Sequence, residues 1–393
     1  MTIALTRHLA ATAAGLALAV LGLTSDGEAQ PRTPAAITWS SVDFWRGVGG
    51  DVEHVTDLLL RDDGRTVWAA FYGEAETAQL ATSSDEGRTW RTTAVPGLRQ
   101  VRSMLALPDG TVLFGGSSDP GRSPLVRLHP GTVTREAQWE TCGDAAGSVR
   151  LPSVTADAVW DLALDDSGVV YVAVDSLRHD PARSNPAVLR STDGCRTLDE
   201  LAPLPGLGAL ALALDAHGRL YAATAESAEH DDADAAGQGH VYYSDDGGQT
   251  WTESGRLDGA NKVYRLLVKR DGTVLAGSGL RGEFYRSRDR GQTWTKTTHV
   301  PKGVKNFGDP PQPREFDATR VYAVHELPDG TILVGTGNTT GDLFLSPDDG
   351  DTWHATGDTG ANIVCWAIAQ APDGTIWIGT GSRGGDVLRG RVR

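Results

Sequence analysis

A chain of 393 residues with 39% hydrophobic side chains is long enough for one large core or two ordinary ones. Its 51 acidic against 36 basic side chains leave a formal charge of -15, which argues against nucleic acid or an anionic membrane surface as the main partner. The 48 glycines, 19 prolines and 11 tryptophans, with no long stretch of helical hydrophobic period, favour an all-β architecture held in one unit.

In chain order, Arg7 and His8 precede an apolar run from Leu9 to Leu23, and Gly27-Glu28-Ala29 follows with small residues at both cleavage-determining positions. This predicts a secretory signal peptide over 1–29, cut after Ala29. The run is short for a membrane span, no comparable run follows, and no cysteine near the cut can take a lipid. Residues 30–393 are therefore expected to form one soluble domain, exported to the periplasm or the cell exterior and not membrane-spanning.

From there an apolar strand, an Asp-Gly-type turn and a second apolar strand recur seven times, with turn glycines Gly64, Gly110, Gly168, Gly218, Gly272, Gly330 and Gly374. The unit of roughly 50 residues is the size of a four-stranded propeller blade. A second pattern, Ser-x-Asp-x-Gly-x-Thr-Trp, punctuates the same units as SSDEGRTW, SDDGGQTW, SRDRGQTW and SPDDGDTW. These place Asp85, Asp246, Asp289 and Asp348 beside Trp90, Trp251, Trp294 and Trp353. A fifth copy keeps Asp193 but puts Cys195 in the glycine slot and Leu198 in the tryptophan slot, and a degenerate one keeps only Trp139. The last repeat has no box, whereas AITWSSVDFW carries Thr38-Trp39 ahead of the first. The N-terminal strand, Ile37 to Ser40, is thus expected to pair with Asp386 to Arg393 and complete the last blade, leaving fewer open edges.

Chemistry that happens once does not need five copies, so the boxes read as structure. The Asp accepts backbone N–H groups of its turn, the Gly supplies positive φ, and the Trp fills space between sheets. The pattern resembles the Asp-box (BNR) repeat propellers, which include sialidases, xyloglucan-specific endoglucanases, sortilin-type receptors and photosystem II assembly factors. That resemblance implies a β-propeller, and the seven turn glycines and seven box slots predict a single one of seven blades; the resemblance is specific for architecture rather than activity.

Three cysteines in an exported chain permit one disulfide. Cys142, three residues past Trp139, and Cys195, in a box turn one repeat later, are the expected pair; Cys365 reads as a buried, inert thiol.

Because both kinds of turn fall on one side of a blade, a ligand is expected on the other. The residues eight before each turn glycine are Thr56, Arg102, Trp160, Leu210, Tyr264, Tyr322 and Trp366, followed by Asp57, Ser103, Asp161, Ala211, Arg265, Ala323 and Ala367. Asp57, Arg102, Trp160, Asp161, Tyr264, Arg265, Tyr322 and Trp366 are the candidate ligand-binding set, suited to a sugar or peptide by stacking and orienting charge. The alternative is that these aromatics pack between blades and that Arg102 and Arg265 pair with Asp161 or Asp57. The loop from Glu226 to His240 has the oxygen ligands to hold Ca²⁺ but lacks the spaced ligand order of a calcium loop and reads rather as a solvated acidic loop, so the expectation is of no metal or cofactor. Arg178, His179, Asp180 and Arg183 form a surface turn or an anion site, and Thr298 to Arg320 is the longest connection.

A sialidase resemblance implies an Arg-Ile-Pro motif on the first inner strand, which here reads His54-Val55-Thr56-Asp57-Leu58. Arg102, Arg265 and Arg320 can be cast as its arginine triad and Tyr264 or Tyr322 as its nucleophile, without any spacing that selects them. Asp57 with Asp161 is the only inner-strand carboxylate pair for hydrolysis. The sequence therefore favours a monomeric, noncatalytic binder of a glycan, peptide or envelope protein, with a secreted sialidase-like hydrolase as the alternative.

Overall fold

The computed structural model describes residues 37–392 other than 62, 74–76, 119–121, 130–138, 146–147, 149–157, 176–187, 205–207, 226–238, 256, 261, 280–281, 302–304, 307–318, 339, 357–358, 360–363 and 382–383. The signal-peptide segment, most of the acidic loop, the Arg178–Arg183 turn and most of the Thr298–Arg320 connection lie outside the described residues.

The turns between first and second strands are built alike. Asp63, Asp109, Asp165, Asp215, Asp271, Asp329 and Asp373 each accept the backbone N–H two residues on, at 2.8–3.0 Å. The turn glycines hold φ between +64° and +89°, where a Cβ is disfavoured. Such turns reverse the chain tightly and commit the flanking apolar runs to antiparallel pairing.

The strands accordingly form four-stranded antiparallel meanders. The first runs His54–Leu60, Val67–Tyr72, Gln79–Ser83 and Arg91–Ala94. The second runs Leu98–Ala106, Val112–Ser118, Leu125–Leu128 and Trp139–Thr141. Those that follow begin with the inner strands Ala158–Leu164, Gly208–Leu214, Val263–Val268 and Thr319–Glu326. The last has Val364–Gln370, Ile376–Gly381 and Val387–Val392, and its fourth strand is Ile37–Ser41, in a register from Ile37 opposite Val392 to Ser41 opposite Leu388. Each inner strand packs against the next, and the last returns to His54–Leu60. The apolar core lies between neighbouring sheets: Leu113 and Leu125 of the second meander, for instance, pack with Val170, Val172 and Leu189 of the third.

The box turns tie neighbouring sheets together. Within each, Ser and Asp satisfy the turn: Ser83 Oγ donates to Asp85 and accepts from Gly87 N, while Asp85 accepts the N–H and hydroxyl of Thr89 at 2.9 and 2.7 Å. The same bonds recur around Asp193, Asp246, Asp289 and Asp348. Outward, the carbonyls of Cys195, Gly248, Gly291 and Gly350 accept from Gly143, Ala202, Gly255 and Thr298 of the preceding meander, at 3.1–3.2 Å. The indole N–H groups of Trp251, Trp294 and Trp353 donate to the same preceding segments, at Ala202, Ser254 and Thr298, and Trp39 does so at Thr356. Where Leu198 replaces the tryptophan, Cys195 is bonded to Cys142 across the junction, with Cα atoms 5.2 Å apart. Cys365 is free and buried, and burial pushes its thiol far up.

Every inner strand also carries a β-bulge near its start. The pairing registers shift at Thr56, Arg102, Trp160, Leu210, Tyr264, Tyr322 and Trp366. These are the positions eight before the turn glycines. A bulge inserts an unpaired residue and re-aims its side chain.

Candidate functional site

The bulged side chains converge on the face away from the turns and touch in series. Arg102 lies over the Trp160 ring, 3.9 Å from its centroid. Trp160 is 6.1 Å from Tyr264, Tyr264 is 6.0 Å from Tyr322, and Tyr322 is 4.2 Å from Trp366, centroid to centroid. Trp366 in turn stands edge-on to His54 and donates its indole N–H to His54 Nδ1 at 2.9 Å. Burial pushes the His54 pKa down to about 4, so the imidazole is neutral at pH 7 and able to accept that bond.

Mutual packing changes what these residues present. Tyr264 and Tyr322 are buried, at 3% and 6% exposure, so they are not the open stacking platform expected of them. The reason is physical: large rings re-aimed into a narrow opening meet each other before they meet solvent. Arg102, Trp160, Arg265 and Trp366 remain half-exposed. The Trp160 indole nitrogen is buried and has no acceptor among the described residues.

One residue further along, Asp57 and Asp161 do different work from that anticipated. Asp57 accepts Leu58 N at 2.9 Å and, across the junction, Met104 N at 2.6 Å. Asp161 accepts Leu162 N and Leu212 N, each at 2.9 Å, with Ser103 Oγ at 3.4 Å. An innermost strand is an edge, and its N–H groups need acceptors; the two carboxylates supply them for the neighbouring strand. Enclosure by protein raises Asp57 to about 7, against the pull of its hydrogen bonds and the Arg265 charge, and Asp161 is raised for the same reason. The expected pairing with Arg265 is electrostatic only. Its guanidinium donates to the Tyr264 carbonyl at 2.9 Å and acts on both aspartates through its field.

The bulge positions were legible from spacing. The roles of His54 as acceptor and of the aspartates as edge caps were not, because both depend on a neighbouring strand. Among the described residues no group of three or more His, Cys, Asp or Glu is placed to hold a metal ion. No described helix is long and apolar enough to cross a membrane. A cleft of about 640 Å³ lies on the opposite face, beside the turns.

A family model described as "Two component regulator propeller" matches residues 359–382, the start of the last meander. Among curated proteins none matches the chain. Solved structures that it resembles include a streptogramin B lyase, at TM-score 0.62 and 13% identity over 91% of this chain and 98% of that one. YCF48 bound to D1 peptide follows at 0.58 and 14%, over 93% and 99%. PorZ, a bacterial surface component of the type-IX secretion system of Porphyromonas gingivalis, matches at 0.57 and 13%, over 87% of this chain and 46% of that one. The fold is a β-propeller. At these identities the likeness carries architecture and not activity.

Proposed function

We propose that this chain is an exported, seven-bladed Asp-box propeller that binds a glycan, peptide or envelope-protein partner on the face opposite the boxes, without catalysis. The observation that carries the reading is the set of bulged positions: one depth in the ring, Thr, Arg, Trp, Leu or Tyr according to the blade, with half-exposed Arg102, Trp160 and Trp366 among them and half-exposed Arg265 one residue beyond the bulge at Tyr264. An asymmetric ligand needs such asymmetry from a repeated frame. The signal-peptide pattern over 1–29 supports export, and the exported PorZ-like and peptide-bound YCF48-like folds are compatible with a binding role.

A sialidase-like hydrolase remains the second reading because Asp57, raised to about 7, is a carboxylic acid able to hold a proton near neutrality, with Asp161 close enough to raise it further. Against it, each carboxylate oxygen already accepts a hydrogen bond. Hydrolysis needs carboxylates free to face a scissile bond.

The test is a glycan and peptide array with purified mature protein, alongside chromogenic glycosides. Binding without turnover is expected. Arg265→Ala should then weaken the captured ligand by about 1.5–3 kcal/mol with little change in melting temperature. Lost stability with unchanged affinity would remove Arg265 from the site, and turnover abolished by Asp57→Asn would establish the hydrolase instead.

A further inference from the structure

Each inner strand turns one N–H group, at the same depth, away from its own meander and into the ring. In every hairpin the residue before the turn bonds across to the second strand, as Lys269 N does to Thr273, Leu327 N to Thr331 and Ala371 N to Thr375, at 2.8 Å each. Antiparallel pairing alternates. The N–H groups three residues earlier, at Leu266, Val324 and Ile368, therefore point the other way, as do those at Leu58, Met104, Leu162 and Leu212.

These inner-edge donors fall into two groups. Asp57 takes two neighbours, Leu58 N and Met104 N, and Asp161 takes the next two, Leu162 N and Leu212 N. One carboxylate thus bridges two adjacent strands. The strands that follow bring Arg265, Ala323 and Ala367 to the aspartate position, and among the described residues no acceptor meets Leu266 N, Val324 N or Ile368 N. Packing divides the ring along the same line. Leu58, Met104, Leu162 and Leu212 are buried, whereas Leu266, Val324 and Ile368, at the same depth, are half-exposed. The donors without an acceptor lie where the wall is accessible.

We propose that the ligand of this face carries a carboxylate that bridges Val324 N and Ile368 N beside Ala323, as Asp57 bridges Leu58 N and Met104 N. A carboxylate is the strongest partner for such a pair of backbone donors. Charge has room for a third one: Arg102 over Trp160, Arg320 over Tyr264, and Arg265, whose field reaches both aspartates, stand against Asp57 and Asp161. Asp57, raised to about 7, is moreover only partly ionised at neutral pH. The proposal rests on the reading of this face as the binding face and names the group that the face selects.

The experiment is titration of the isotopically labelled chain from residue 30 with sodium acetate, against sodium chloride at equal ionic strength, read at individual backbone amides. Saturable shifts are expected at Val324 and Ile368 but not at the capped Leu58 and Met104, with acetamide roughly tenfold weaker. N-acetyl-pentaalanine and glucuronate then tell a chain end from an acidic sugar, by which moves the same amides at lower concentration. Ala323→Asp should supply the bridge from within: Val324 and Ile368 shift without acetate, the response to acetate falls by roughly tenfold, and the melting temperature rises. Ala323→Leu should do none of this. Equal shifts with chloride, capped amides that move as far as Val324, or an Ala323→Asp chain that melts lower and answers acetate as before overturns the proposal. The wild-type titration decides by itself if that variant does not fold. An array ligand without an acetate response removes the carboxylate subsite and keeps the binding face; an acetate response without an array ligand does the reverse.

Discussion

The two faces of the ring use one repeat in opposite ways. At the turn face the same side chains recur and are engaged by the turn and its neighbour: Asp246 accepts from Ser244 and Thr250, the Gly248 carbonyl accepts from the neighbouring sheet, and Trp251 donates to that sheet. At the far face the position is fixed by a bulge but the side chain changes from Arg102 to Trp160 to Tyr264. A group needed to hold every junction is repeated; a group released from that duty is free to vary between sheets.

The hardest way to break this comparison is to remove the shared frame. Deleting residues 30 to 44 takes away the strand opposite Val387–Val392 along with Phe44, whose N–H donates to Asp386 at 3.1 Å. The melting temperature should fall further than for any point substitution, and an unchanged value would show that the closure contributes nothing.

Next in size is the junction where a disulfide stands in for the box tryptophan. Cys142→Ser opens a loop spanning 53 residues, and a loss of about 2–4 kcal/mol is expected. Urea midpoints with and without reductant check it, since reductant should have no further effect on the variant.

The faces should also answer pH with opposite signs. Asp85 and Asp246 are lowered to about 2 by their Thr and Ser hydrogen bonds, so their contribution is present above the ordinary carboxylate value of 3.8 and is lost as pH falls through about 2. Asp57 is raised to about 7 by burial, so its contribution is complete below 3.8 and is lost as pH rises through about 7. Melting temperature against pH should therefore flatten on the neutral side in Asp57→Asn and on the acid side in Asp246→Asn. Identical profiles for the two variants would sink the distinction.

The smallest effect sharpens the far face. Trp160→Phe keeps an aromatic ring and deletes an indole N–H that has no acceptor among the described residues. Stability should rise by about 1 kcal/mol while affinity for the ligand falls, read by thermal shift and titration on one preparation.

Sequence reading went as far as local chemistry reaches. Turn glycines and box residues sit in patterns that one segment displays by itself, and counting those repeats along the chain points to the partner of Ile37 to Ser40 and to the two cysteines of consecutive repeats. The packing of Tyr264 on Tyr322, the capping of Met104 N by Asp57 and the latch between Arg290 and Asp215 each join segments from different sheets. Spacing within a strand says nothing about what the next sheet brings alongside. The short helix Phe44–Gly47 is similar: its Phe44 is placed by Phe71 and Trp90, at 5.4 and 4.8 Å, rather than by helical periodicity.

The strand Ile37–Ser41 has a further consequence for the order of events during biogenesis. It is the first described strand to be synthesised, yet its hydrogen-bonding partner, Val387–Val392, is the last. Meanders whose strands are adjacent in sequence can pair as they emerge, whereas this one contact closes a loop of almost the entire chain and bears the greatest entropic cost of any in the molecule. Until it forms, Val387–Val392 presents an unpaired edge to any passing strand, so the interval between emergence and closure is when the chain is most open to domain exchange and aggregation.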